Sequence, residues 1–245
     1  MVDSPKSESR VAAFFDMDKT LIAENSGSIY MKRQFEKGEI DSWELAKGLW
    51  AYFQYKAGFL DILSWMRSTA LDLEGQAEDD LARIGRELFE SSIGSLIYPE
   101  ARSCVRAHHA RGDLVCIVSG STQYVIEPVA KELQVDHVVC TRLEAERGIF
   151  TGQVLEPICF GEGKIDLLQS FIEIESVDLA RSWFYTDSVT DRPLLELVGH
   201  PMIVNPDPLL YALARRRRWP VRFFDLLHTG EGVTPEFLES HRVRG

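Results

Sequence analysis

Three times along this 245-residue chain a short apolar run ends in a polar residue at a turn, with a helical stretch to follow. The runs are Val11–Phe15, ending at Asp16; Leu114–Val118, ending at Ser119-Gly120; and Trp183–Tyr185, ending at Thr186-Asp187. A short run with no polar alternation is the pattern of a strand buried on both faces, and a strand buried on both faces belongs to a parallel sheet covered by helices. Strands alternating with helices put the chain in the α/β class, with a mainly parallel sheet.

The intervening segments carry helix punctuation. Pro99 opens one helix and Gly112 closes it, with Ala101, Cys104, Val105 and His108 on one face. Another runs from Gly163 to about Ile174, with Ile165, Leu168 and Ile172 in register. Thr122 to Leu133 is less regular, because Pro128 is expected to bend or restart it. From Leu143 to Leu155 the pattern, with Arg147-Gly148 at its centre, is that of a β-hairpin. Residues 25–96 break the alternation: they read as helical throughout and carry Tyr30, Phe35, Trp43, Trp50, Tyr52, Phe53, Tyr55, Phe59 and Trp65. Trp43, Ala46, Trp50 and Phe53 share a helical spacing and are expected in the core of a small bundle. An insertion straight after the first strand hangs over that strand's carboxyl end, where open parallel sheets bind ligands, so it reads as a cap. The organisation expected is a discontinuous core, 11–24 and 97–227, a helical cap over 25–96, and a peripheral tail, 228–245.

Acidic residues outnumber basic ones 38 to 27, a net charge of −11. Such a surface disfavours sequence-independent binding to nucleic-acid phosphates and favours cations. The run Arg215–Arg218 closes a helical stretch, where cations suit the macrodipole, and is read that way rather than as a contact for a membrane or nucleic acid. Residues 1–10 lack the apolar segment of a signal peptide, no run is long enough to span a bilayer, and Cys104, Cys116, Cys140 and Cys159 form no CxxC pair. The expectation is a cytoplasmic protein whose cysteines are small buried hydrophobes.

Candidate chemistry lies at the ends of the runs. Asp16-Met17-Asp18-Lys19-Thr20 places two carboxylates one residue apart, suiting a cation site or acid–base work, with a turn-capping role as the plainer alternative. An EF-hand is excluded, since positions 6 and 12 counted from Asp16 are Leu21 and Gly27. Ser119-Gly120-Ser121-Thr122 could cap a helix or offer hydroxyls and N–H groups to a phosphate. Lys164 stands in the first turn of a helix, against the macrodipole by roughly 0.3–1 kcal/mol when exposed, a sign that a bound anion would reverse. Asp191 could cap the helix that Pro193 helps to begin, whereas Asp187 sits on the strand end itself. Acids gathered at neighbouring strand ends repel one another unless a divalent cation neutralises them.

Taken in order, Asp16/Asp18, Ser119, Lys164 and Asp187/Asp191 resemble the four motifs of the haloacid dehalogenase superfamily, over Val11 to about Leu226. Val118-Ser119-Gly120-Ser121 and Cys159-Phe160-Gly161-Glu162-Gly163-Lys164 are similar to its subfamily IB, the phosphoserine-phosphatase-like branch. The resemblance implies a Rossmann-like parallel core with a C1-type helical cap, and a phosphatase acting on a small phosphomonoester. It implies Asp16 as nucleophile, forming an aspartyl-phosphate, and Asp18 as acid and then base. Ser119, the Gly120 N–H and Lys164 would hold the phosphoryl oxygens. Mg²⁺ would be held by the Asp16 carboxylate, the Asp18 carbonyl and Asp187, with Asp191 in support. Asn25 stands where phosphoserine phosphatases carry a substrate-contacting glutamate, with Glu24 one residue early, and Thr190 replaces the usual Asn of the fourth motif. Glu24 is the candidate partner for a substrate ammonium, and histidinol phosphate, phosphoethanolamine and phosphocholine join phosphoserine as candidate substrates. A phosphotransferase or mutase of the same superfamily, or a non-catalytic anion-binding module, is the competing class.

Overall fold

The computed structural model describes residues 9–56 and 61–227. Among them a seven-stranded sheet has the order β4-β3-β2-β1-β5-β6-β7. β1 (Ala12–Phe15) lies at its centre, parallel to β2 (Leu114–Thr122) on one side and to β5 (Trp183–Thr186) on the other. Phe15 is level with both Ile117 and Tyr185. β1 and β5 therefore finish at nearly one level, while β2 runs on past it to Thr122, and Asp16, Ser119 and Asp187 gather at the same end of the sheet. β3 (His137–Glu146) extends the sheet beyond β2 and turns back as the antiparallel β4 (Ile149–Leu155). The turn is Arg147-Gly148, both at positive φ (53° and 79°), as a tight hairpin requires. β6 (His200–Val204) and β7 (Val221–Arg222) complete the other edge.

The all-apolar strands explain the layers. Ala13, Phe15, Val115, Ile117, Trp183 and Tyr185 point to one face, where α5 (Pro99–Arg111) and α6 (Gln123–Leu133) cover them. Ala12, Phe14, Cys116, Val118, Phe184 and Ile203 point to the other, against α7 (Glu162–Ile174), α8 (Arg192–Leu197) and α9 (Pro208–Arg217). All four cysteines are buried and reduced, as composition suggested. Arg215, Arg216 and Arg217 occupy the last turn of α9, and Arg217 pairs with Glu196 at 2.6 Å.

Between β1 and α5 the chain forms α1 (Ser26–Glu36), α2 (Ser42–Lys56), α3 (Ile62–Leu71) and α4 (Glu78–Ser91). The bundle is fastened to the core along one side. Residues 75–78 run beside β4, with Gly75 N–H donating to Phe150 O, Phe150 N–H to Gln76 O and Glu78 N–H to Gly148 O. α6 is continuous through Pro128, so the helix does not restart there. Pro128 has no N–H for the carbonyl of Tyr124, four residues earlier, and Gly85 of α4 packs against that oxygen so closely that a Cβ would lie 2.0 Å from it.

Trp43 and Trp50 of α2 do not face the bundle core, contrary to expectation. Trp43 is 74% and Trp50 59% exposed, and Ala46 is exposed as well. Helical spacing fixes which residues share a face, not which face is buried. Among the described side chains of α2, Leu45, Gly48 and Ala51 lie inward, and Gly48 lies against the end of the Met31 side chain. Phe59, the side chains of Tyr52, Phe53 and Tyr55, and the 228–245 tail lie outside the described residues. No helix among the described residues is long and apolar enough to cross a membrane.

Candidate active site

At the end of β1 the chain curls tightly, with the N–H groups of Thr20, Leu21 and Ile22 all directed at the carbonyl of Met17, and with Lys19 at φ 59°. Asp16 stays buried at the strand end, its own N–H donating to Tyr185 O. Lys164 reaches it from α7: its Nζ donates to Asp16 Oδ1 at 2.9 Å and to Asp191 Oδ2 at 2.8 Å. At 3% exposure Lys164 is not a surface lysine. Gly163 brings it there, since a Cβ at that position would lie 2.1 Å from the Ile158 carbonyl oxygen. Gly161, at φ 55° and ψ −124°, turns the chain into α7.

Asp191 occupies the N-cap position of α8 without capping it. Its Oδ2 accepts from Lys164 and, at 2.6 Å, from Thr186 Oγ1. Asp187 is buried at the end of β5, and its carbonyl accepts from Asp207 N at 2.8 Å. Ser119 is buried and does not cap α6; its Oγ accepts from Ser121 N at 3.3 Å. Thr122, at the N-cap, also gives α6 no side-chain cap. Gly120 lies beside the carbonyl of Cys159, in the segment leading into α7.

Asp18 turns the other way, toward α1. Its Oδ1 accepts from Ser26 N at 3.0 Å, and its Oδ2 from Asn25 Nδ2 at 2.8 Å and Ser26 Oγ at 3.1 Å. Glu24 is exposed at the turn before α1, and it is Asn25, the next residue, that reaches Asp18. The sequence reading gave no role to Ser26, Thr186 or Asp207. Asp207 Oδ2 accepts from Val189 N at 2.9 Å and so holds the turn that carries Asp191.

Charge is unbalanced here. Four carboxyl groups, Asp16, Asp18, Asp187 and Asp191, lie on loops at one edge of the sheet, and Lys164 is the cation bonded to two of them. Burial, the largest influence, pushes the Asp16 carboxyl up, Asp191 and Asp18 add to the rise, and Lys164 opposes it. Burial likewise raises Asp18 to about 6, against the donors of Ser26. Desolvation acts to lower Lys164, but Asp16 and Asp191 outweigh it and hold the ammonium above its ordinary range. Among the described residues no three His, Cys, Asp or Glu side chains form a ready-made metal cage. An all-oxygen set short of positive charge nevertheless fits Mg²⁺, which takes one or two carboxylates and completes its shell with water and phosphate oxygens.

Comparison with known proteins places this geometry in context. Residues 13–196 match the family model of haloacid dehalogenase-like hydrolases. An inhibition of morphological differentiation protein of Streptomyces azureus is 37% identical over 88% of this chain and 79% of its own length. A histidinol-phosphatase of Neisseria meningitidis is 32% identical over 86% of this chain and 98% of its own length. In fold, the chain is similar to a phosphoserine phosphatase solved as an analogue of its phospho-aspartyl intermediate, with a TM-score of 0.63 and 18% identity, covering 87% of this chain and 93% of that one.

Proposed function

Given that the chain belongs to the haloacid dehalogenase-like hydrolases, we propose that it is a Mg²⁺-dependent phosphatase that cleaves a small phosphomonoester through an aspartyl-phosphate. The observation that carries this reading is the double ion pair of Lys164, which joins the loop after β1, the start of α7 and the turn after β5 in one buried place. Asp16, at the central strand's end, is the nucleophile: its carboxylate oxygen bonds to phosphorus as the bond from phosphorus to the leaving oxygen breaks. Asp18 gives its proton to that oxygen. Asp18 then takes a proton from water, whose oxygen bonds to phosphorus as the bond to Asp16 breaks. Lys164, the Ser119 hydroxyl and the Gly120 N–H hold the phosphoryl oxygens. Mg²⁺, held by Asp16, the carbonyl of Asp18 and Asp187 with Asp191 in support, would neutralise charge between the two anions that must meet.

The four helices between β1 and α5 act as a cap over residues 25–96, excluding water and large leaving groups. With the acidic surface, they favour a small substrate over a polymer such as nucleic acid. Among small substrates the reading favours an amino-alcohol phosphate such as phosphoserine or histidinol phosphate. Relatives of both names support it, and the exposed Glu24 is available for an ammonium. The test compares kcat/KM for phosphoserine, histidinol phosphate, phosphoethanolamine, phosphocholine, sugar phosphates, nucleotides and a phosphopeptide, in wild type and Glu24→Gln. Preference for an amine substrate, weakened in Glu24→Gln, is expected; best turnover on nucleotides or the phosphopeptide overturns the small-substrate reading.

A further inference from the structure

The start of α1 holds the side chain of Asp18 from both of its oxygens. Ser26 is buried, the first residue of α1, and contributes two of the three donors. Asn25 contributes the third, and its amide is fixed in one orientation because the other end, Oδ1, accepts from Ser28 N at 3.0 Å. The Ser26 hydroxyl also lies 2.7 Å from Ser121 Oγ. A serine has a single hydroxyl hydrogen. With that of Ser26 given to Asp18, the short contact to Ser121 must be made with the hydrogen of Ser121. The chain of donors then runs one way, from Ser121 O–H to Ser26 and from Ser26 O–H to Asp18, while the N–H of Ser121 donates to Ser119 Oγ. A side chain from the end of β2, one from the loop after β1 and the first turn of the inserted helices thus meet at one hydroxyl.

From this juxtaposition we propose that Ser26 is a positioning residue for Asp18, with Asn25 as its companion, and that it makes the aim of the Asp18 carboxyl depend on where α1 sits relative to Ser119–Ser121 at the end of β2. The proposal rests on the reading of Asp18 as the group that protonates the leaving oxygen. Ser26 touches neither phosphorus nor the leaving group in this account. It acts only through the direction it imposes on a neighbour, and misdirecting that neighbour penalises the substrates whose leaving group needs the proton.

That selectivity separates the proposal from a merely structural role. Alkyl phosphates leave as poorly stabilised alkoxides and depend on the acid; 2,4-dinitrophenyl phosphate leaves as a stable phenolate and depends on it far less. The experiment measures kcat/KM, which reports the steps up to transfer of the phosphoryl group to Asp16, for a series of phosphomonoesters of falling leaving-group basicity. It uses wild type, Ser26→Ala, Ser26→Thr and Asp18→Asn, with thermal unfolding of each protein alongside. General acid catalysis is worth about 10²- to 10⁴-fold, so a misaimed acid should cost Ser26→Ala about tenfold or more on the alkyl ester beyond its loss on the dinitrophenyl ester. Ser26→Thr, which keeps the hydroxyl, should recover most of that difference. Equal losses across the series in Ser26→Ala, with the steep dependence kept in Asp18→Asn, overturn the role of Ser26 and leave Asp18 standing. A flat series in Asp18→Asn overturns the reading of Asp18 itself, and the proposal with it. Should Ser26→Ala fail to fold, Ser26→Thr together with Asn25→Asp, which keeps an acceptor for Ser28 N but loses the donor to Asp18, carries the same comparison. A leaving-group dependence in Asn25→Asp unchanged from wild type then counts against the proposal.

Discussion

Replacing Lys164 with Met keeps the length and apolar stem of the side chain and removes its charge, and the structure sets what that should cost. The ammonium is buried and bonded at 2.9 Å to Asp16 and 2.8 Å to Asp191, so the variant leaves two buried carboxyl groups without their cation. Removing one partner of a buried ion pair costs about 3–5 kcal/mol. In a chain of this size each kcal/mol corresponds to roughly 2–4 °C, so Tm should fall by about 6–20 °C near pH 8. The loss should also depend on pH. Asp16 already titrates above the ordinary carboxyl value of 3.8 because it is buried, and Lys164 is what restrains the rise. Without Lys164 its folded value climbs further. A carboxyl whose folded pKa exceeds its unfolded one subtracts stability increasingly as pH rises from the unfolded toward the folded value, and subtracts none once protonated in both states. The gap between wild type and Lys164→Met should therefore be widest at pH 8 and narrow steadily toward pH 5. Thermal unfolding of both proteins across that range, without metal, measures it. A gap of equal size at pH 5 and pH 8 would show that lost packing, not lost charge, is responsible, and would refute the electrostatic reasoning.

Other consequences follow from single contacts. Gly163→Ala places a Cβ against the backbone carbonyl of Ile158; it should cost about 1–3 kcal/mol as overpacking and lower turnover disproportionately by moving Lys164, read by Tm and kcat together. Tyr185→Phe removes the hydroxyl 2.9 Å from His108 Nε2, leaving a buried ring nitrogen unpaired, and should cost about 1–3 kcal/mol in denaturant unfolding. Burial holds the His108 pKa below its ordinary 6.5 despite Asp113 at 2.8 Å, so its contribution to stability is present above that value and lost as pH falls through it; His108→Gln should flatten this part of the stability profile. Exhaustive chelation should abolish turnover of an aryl phosphate, and Mg²⁺ should restore it; turnover indifferent to both contradicts the metal assignment.

Apolar runs and motif order were enough to locate Asp16, Ser119, Lys164 and Asp187 at one edge of a parallel sheet, because strands buried on both faces have no polar alternation to obscure their ends. Lys164 was legible as an oddity, a cation at the wrong end of a helix, and its burial against two aspartates explains it. Asp191 was harder, because an acid before Pro193 has the look of a helix cap; the three-dimensional partners, Lys164 and Thr186, are what deny that role. The grip of Asn25 and Ser26 on Asp18 was invisible for the same reason. Asn25 does cap α1, and nothing local says that its other end grips Asp18. Asp207 also leads a double life, capping α9 with one oxygen and holding Val189 N with the other. The face of α2 was misjudged because large aromatics were assigned inward, whereas close approach to α1 is made through Gly48. β6 escaped notice because His200-Pro201 interrupts the apolar signature at its start.

The central claim is that the phosphoryl group passes through a covalent bond to Asp16, and trapping that bond tests it most directly. Wild type mixed with a ³²P-labelled phosphomonoester and Mg²⁺, quenched in acid within the first turnover, should retain label on the peptide containing Asp16, in a linkage cleaved by hydroxylamine as an acyl phosphate is. Asp16→Asn, shown to be folded by a cooperative thermal transition, should retain none and turn nothing over. Label on any other residue, or steady hydrolysis by Asp16→Asn, would contradict the account.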